Sequence, residues 1–209
     1  RFWRSADGSS WEPAADDPGF ADGEVTAILA VPTGYLALGR LGTGQRSTGS
    51  AAWRSSDGRA WERIDDPALA GGLANALATL PDGTLVAVGS DLDEREAVAW
   101  TSADGTRWER APSEASRLHE GEKIRMTDVV ATTDGLVGVG NYVGVQYGTA
   151  STWTTHDGRR WTQSPASPVL NQGEMLGVTL SPVGFVATGS YGAPDNYIPT
   201  IWLSPPPAS

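Results

Sequence analysis

The chain has 209 residues, 25 acidic against 15 basic side chains, a formal charge of -10 and a pI near 4.6. That balance excludes nucleic acid or an anionic membrane surface as the main partner, because either needs a basic stripe that these scattered arginines do not form. The lack of cysteine excludes a disulfide framework, a thiolate metal site and a thiol nucleophile, and no apolar run approaches the ~20 residues of a membrane span.

In chain order, the first elements are a strand over Phe2 to Ser5, a tight turn at Asp7-Gly8 and a strand carrying Trp11. The loop DDPGFADGE leads to the apolar stretch VTAILAV, and Pro32-Thr33-Gly34 turns the chain back into YLALGR as a hairpin. A variable loop then reaches a second tryptophan strand at Trp53, and Asp57-Gly58 turns it towards Trp61. The same cycle recurs twice in full, through LANALATL, Pro81-Asp82-Gly83 and the pair Trp100/Trp108, then through MTDVVAT, Asp134-Gly135 and the pair Trp153/Trp161. A last round runs through MLGVTLS and Pro182-Val183-Gly184 to Trp202. Between the two stretches, SEASRLHEGEK (113 to 123) is the one segment able to hold a helical turn or two.

This is an internal repeat. Leading tryptophans are 50, 47, 53 and 49 residues apart, and Gly39, Gly89, Gly140 and Gly189 are 50, 51 and 49 apart. Each unit reads as a four-stranded antiparallel meander, A-B-C-D, with units near 1–24, 25–72, 73–125, 126–173 and 174–203 and a Pro-rich tail at 204–209. Strand A is rich in small residues (Ala27, Ala30, Ala74, Ala76, Ala78, Ala131, Gly177), as suits an inner strand near an axis, while the tryptophans fall in the outer strands. The expected fold is therefore an all-β propeller of about four to five blades. Counting gives 2 + 12 + 3 strands, which fits a five-bladed ring lacking the first A and B and the last D. The expectation is that upstream residues, or a partner chain, complete the open blade.

The tryptophan phrase resembles the Asp-box, the BNR repeat of sialidase-like propellers, usually Ser/Thr-x-Asp-x-Gly-x-Thr-Trp. The matching residues are Ser5, Asp7, Gly8 and Trp11; Ser55, Asp57, Gly58 and Trp61; Ser102, Asp104, Gly105 and Trp108; and Thr155, Asp157, Gly158 and Trp161. Asp and Gly are adjacent here, so the box is one residue shorter than usual. The resemblance implies that these boxes close the C-to-D hairpins on the face opposite the ligand, with Asp bonding turn amides and Trp packing between blades.

Binding is then expected at the upper face, where the D-to-A and B-to-C loops vary in sequence. The candidate ligand set is Tyr142, Tyr147, Tyr191 and Tyr197, with Asn141, Gln146, Asp195 and Asn196 interleaved. Flat rings beside amides and carboxylates suit a sugar or a peptide; the same tyrosines could instead pack loop against loop. A sialidase, as the resemblance implies, would use three arginines, a tyrosine activated by a glutamate and an aspartate acid/base. Arg40, Arg46, Arg95, Arg117 and Arg125, and Asp91, Asp93, Glu120, Glu122 and Asp128, are available, but the early Arg-Ile-Pro signature is missing and no catalytic residue is assigned. Asp16/Asp17, Asp65/Asp66 and Asp91/Asp93/Glu94 lack the spacing of a calcium loop, and His119 and His156 stand far apart, so no metal or cofactor is expected. The functional expectation is a non-catalytic module of the cell envelope or exterior that binds a glycan or protein. A sialidase-like glycoside hydrolase and a structural subunit completed by a partner strand are the alternatives.

Overall fold

The structure, a computed structural model, describes residues 2–14, 18–42, 47–111, 123–143, 148–193 and 196–204. Its strands fall into five antiparallel sheets taken up in chain order. Sheet I is the pair β1 (Phe2–Arg4) and β2 (Glu12–Ala14). Sheet II runs β3 (Gly23–Val31), β4 (Gly34–Leu41), β5 (Gly49–Ser55) and β6 (Glu62–Ile64). Sheet III runs β7 (Gly72–Thr79), β8 (Leu85–Asp91), β9 (Ala97–Ser102) and β10 (Glu109–Arg110). Sheet IV comprises β11 (Lys123–Ala131), β12 (Leu136–Val143), β13 (Gly148–Thr155) and β14 (Thr162–Gln163), and sheet V comprises β15 (Gly173–Ser181), β16 (Gly184–Ala193) and β17 (Asn196–Ser204). The meander expected from the repeat is thus present, with strand numbers of two, four, four, four and three.

The first strands of successive sheets touch in series, β3 against β7, β7 against β11 and β11 against β15. Because side chains alternate across a strand, each sheet has one face towards the next sheet and one towards the previous. Ala76, Ala78, Val86 and Val88 of sheet III meet Ile124, Met126, Val129 and Leu136 of sheet IV in one core. Leu36 and Leu38 of sheet II meet Leu85, Ala87 and Trp100 of sheet III in another. Small residues on one side and larger ones on the other let the first strands approach closely, as near an axis.

Each first strand carries a bulge at the same place, between Val25/Ala27, Ala74/Ala76, Met126/Asp128 and Met175/Gly177. The repeated glycines lie opposite it. A Cβ at Gly39, Gly89, Gly140 or Gly189 would stand 2.3, 1.9, 2.1 or 1.8 Å from the carbonyl oxygen of Glu24, Leu73, Arg125 or Glu174. The bulge brings that carbonyl over the neighbouring strand, so only glycine fits.

The last strand of each unit differs from expectation. The second tryptophan of each pair does not sit within it but ends the turn, and the strand that follows has only two or three residues. Its indole folds back instead, Trp108 Nε1 donating to the Gly105 carbonyl at 3.1 Å and Trp161 Nε1 to that of Gly158 at 2.9 Å. One helical turn, α1 (Pro67–Ala70), lies between sheets II and III, capped by Asp66, whose side chain accepts from the Ala68 amide. Asp before Pro is the sequence signal for that start. The segment suggested as helical, 113 to 123, falls almost wholly outside the described residues.

Candidate functional site

Antiparallel succession places both kinds of tight turn at one end of the sheets. The four Ser/Thr-x-Asp-Gly boxes sit there: in each, the Ser or Thr hydroxyl accepts from the glycine amide and the aspartate accepts from the two amides that follow the glycine. In the third box Ser102 Oγ accepts from Gly105 N at 2.9 Å, and Asp104 Oδ1 from Thr106 N at 2.8 Å and Arg107 N at 3.2 Å. Asp7, Asp57 and Asp157 make the same pair of contacts. These amides hold the carboxyls below the usual aspartate range, led by Ser10 N for Asp7, Arg59 N for Asp57, Thr106 N for Asp104 and Arg160 N for Asp157. The leading tryptophans anchor a different loop, Trp53 Nε1 donating to Gly19 O at 2.6 Å and Trp100 Nε1 to Ala68 O at 2.8 Å. A groove of about 1040 Å³ opens at this turn end, walled by Tyr35, Trp61, Leu36 and Leu85 and by residues of the second and third boxes.

The opposite end, where the first strands begin, carries a chain of polar side chains that crosses four sheets. Arg40 on β4 donates through Nη2 to Asn75 Oδ1 on β7. Asn75 Nδ2 donates to the Met126 carbonyl on β11 at 2.6 Å. The adjacent Arg125 donates through Nε to Asn141 Oδ1 at 3.2 Å, and Asn141 Nδ2 donates to Glu174 Oε1 on β15 at 3.3 Å. Arg40 and Arg125 are half-buried, whereas the other described arginines are exposed. The ion pairs of the described residues lie elsewhere, at Arg4–Glu12, Arg54–Glu62, Arg63–Asp65, Arg110–Glu96, Lys123–Glu94 and Arg159–Glu109. Two guanidiniums therefore face amides rather than carboxylates, and Arg40 Nε is a buried donor without a partner among the described residues. Such an arrangement can offer directed N–H donors to an oxygen-rich ligand.

The described tyrosines of the candidate set, Tyr142, Tyr191 and Tyr197, do not converge on one surface. Tyr142 is half-buried against the core between sheets III and IV. Tyr191 opposes Ile198 and shares its face with Asn196 and Trp202, towards sheet IV, whereas Tyr197 opposes Gly192 and projects from the other face of sheet V. Asn141 is fully buried, and its amide is engaged at both ends by Arg125 and Glu174, so it positions other groups rather than presenting itself. Tyr147, Gln146 and Asp195 lie outside the described residues, as do Asp16, Asp17, Arg46, Arg117, His119, Glu120 and Glu122. Of the remaining candidate acids, Asp91 accepts from the Arg95 and Glu96 amides in the turn after β8, and Asp128 accepts from Val129 N and Val178 N, both at 2.8 Å. Asn75 and Glu174 were not singled out by sequence; Asn75 stands at a bulge position that periodicity does not mark.

No protein-family model matches the chain and no curated protein matches it. Solved structures do. An N-acetylgalactosamine deacetylase from F. plautii, in complex with blood group B trisaccharide, is 15% identical over 92% of this chain and 70% of its own, with a TM-score of 0.57. An endo-arabinase from Bacteroides thetaiotaomicron is 14% identical over 97% of this chain and 84% of its own, with a TM-score of 0.51. The Bombyx mori GH32 beta-fructofuranosidase is 10% identical over 90% of this chain, with a TM-score of 0.51. The fold is a β-propeller. At such identities the likeness carries the architecture alone, and the chain spans only 49% of the insect enzyme and 38% of a xylan beta-1,4-xylosidase from Bacillus halodurans. Sheets II to V are blades in this sense, and the polar chain from Arg40 to Glu174 runs across the open ends of their inner strands.

Proposed function

We propose that the chain is a non-catalytic, glycan-binding propeller module of the cell envelope or exterior, with its ligand seated over the open ends of the inner strands. The observation that carries this reading is the chain Arg40, Asn75, Arg125, Asn141 and Glu174, in which two half-buried guanidiniums are held by amides and remain able to donate to sugar oxygens. Tyr191 and Asn196, on one face of blade V, supply a ring and an amide beside it. Support comes also from the named activities of the neighbours above, which act on or hold carbohydrates. The shortened boxes, on this reading, are Asp-boxes in a structural role at the far end.

The test is a glycan array probed with the purified chain, followed by calorimetry on any hit. Arg125→Ala and Tyr191→Ala are expected to weaken binding about tenfold and three- to tenfold respectively, for a charged and an aromatic contact. An unchanged array profile in both variants would sink the site. A second reading, a glycoside hydrolase, is favoured by one observation, that Glu174 stands in the same polar chain as the two arginines. Turnover of fluorogenic glycosides that is lost in Glu174→Gln would establish it over the first.

A further inference from the structure

The inner strands are stitched to one another by the extra residue of each bulge. Thr26 Oγ1 donates to Ala74 O at 2.9 Å, Asn75 Nδ2 to Met126 O at 2.6 Å and Thr127 Oγ1 to Met175 O at 2.6 Å. Each accepting carbonyl belongs to the residue just before the next bulge. In blade II the residue at that place is Val25, and the surface around it is uncovered. Val25, Ile28 and Tyr35 are 43%, 60% and 40% exposed. Their counterparts in blade IV, Met126, Val129 and Leu136, are 2%, 7% and 1% exposed, because Ala76, Ala78, Val86 and Val88 of blade III lie on them. Sheet I shows the same want. β5, β9 and β13 are paired along both edges, whereas β1 is paired only with β2 among the described residues. Accordingly Trp3 is 57% exposed, while Trp53, Trp100 and Trp153 are at most 3% exposed.

We propose that this surface binds an apolar β-hairpin of the inner-strand type, which pairs with the edge of β1 away from β2 and covers Val25, Ile28 and Tyr35. The three stitched junctions of this chain define its chemistry. Its bulged strand carries Thr or Asn to donate to the Val25 carbonyl, its covering face carries small aliphatic residues like those of blade III, and a glycine lies opposite its bulge. The surface continues the series of blade-to-blade interfaces, each built the same way, which is why it accepts a hairpin and not an arbitrary apolar segment.

The probe is a synthetic peptide with the chain's own β7–β8 sequence, residues 72–91, which contains Asn75, Gly89 and the covering face. Titrated into the 209-residue chain, it is expected to shift tryptophan emission to the blue and to protect the amides of residues 2–4 and 24–28 from hydrogen exchange. Ile28→Glu, at an exposed site that leaves folding intact, is expected to weaken binding at least tenfold, and an Asn75→Leu peptide at least threefold. Ile28→Cys, the sole thiol of that variant, carries an environment-sensitive dye as a second readout should peptide scattering obscure the emission. The proposal is overturned by absence of binding in both readouts, by binding indifferent to Ile28→Glu, by protection confined to β17, or by self-association that buries Ile28 between two copies.

Discussion

At the level of single residues, burial sets what the hydroxyl that opens each box contributes to stability. Ser102 is 4% exposed and the glycine amide it serves is buried, so Ser102→Ala leaves a donor without water. The expected cost is about 1–3 kcal/mol. Ser5 makes the same contact to Gly8 N at 2.8 Å, but that bond is exposed, and Ser5→Ala is expected to shift the urea midpoint hardly at all because water replaces the hydroxyl. Equal losses from the two variants would show that burial is not what sets the value of the bond. The aspartates contribute through pH instead. Because amide donors hold Asp7, Asp57, Asp104 and Asp157 below the ordinary range, their folded-state affinity for protons is lower than in the unfolded chain. That stabilisation is complete above the unfolded value of about 4 and is lost as pH falls through the lower folded values. A chain with all four changed to Asn keeps the accepting oxygens and is expected to lose less thermal stability than the parent between about pH 4 and 2, read by circular dichroism.

Single strands and turns show what the sequence could and could not tell. The boxes were legible as turns because Asp-Gly is strong turn chemistry, and the structure gives the aspartates the expected bonds to turn amides, whereas the bond of Trp108 back to the Gly105 carbonyl was not foreseen. The repeated glycines were equally visible but their reason was not, since a bulge leaves no mark in periodicity. Only the register shift at Met126/Asp128 shows that Gly140 faces a carbonyl, with a hypothetical Cβ 2.1 Å from Arg125 O. Gly140→Ala must displace one inner strand, and it is expected to cost about 3 kcal/mol, the upper end of overpacking, measured as a drop in the denaturant midpoint. A cost below about 1 kcal/mol would mean that the strand yields easily. The same blindness hid Asn75 from the sequence reading. It made Asn141 look like a ligand contact, when its place beside Arg125 and Glu174 makes it a spacer between two charged groups.

Across the whole molecule, cover on both faces falls off from the middle blades to the ends. Blade III has blade II on one side and blade IV on the other, and its Trp100, Val86, Val88 and Ala87 are fully buried. Blade V is covered on one side only; Ile201 and Leu203, on its far face, are 65% and 75% exposed. Sheet I is covered least, with Trp11 60% exposed although its box has the same internal bonds as the others. This gradient was legible in part, since the strand count and the phase of the tryptophans mark the first and last sheets as short, but the exposure of Ile28 and Leu203 depends on which face each strand presents. Local opening follows cover rather than hydrogen-bond count, because the apolar area re-exposed on opening is what opposes it. Native-state hydrogen exchange is therefore expected to show β7, β8 and β11 exchanging last, by global unfolding, with β17 faster and β1–β2 fastest by local fraying. Uniform protection across all five sheets would mean instead that the chain opens as one cooperative unit, and that the outer faces of blade V and sheet I are covered in solution.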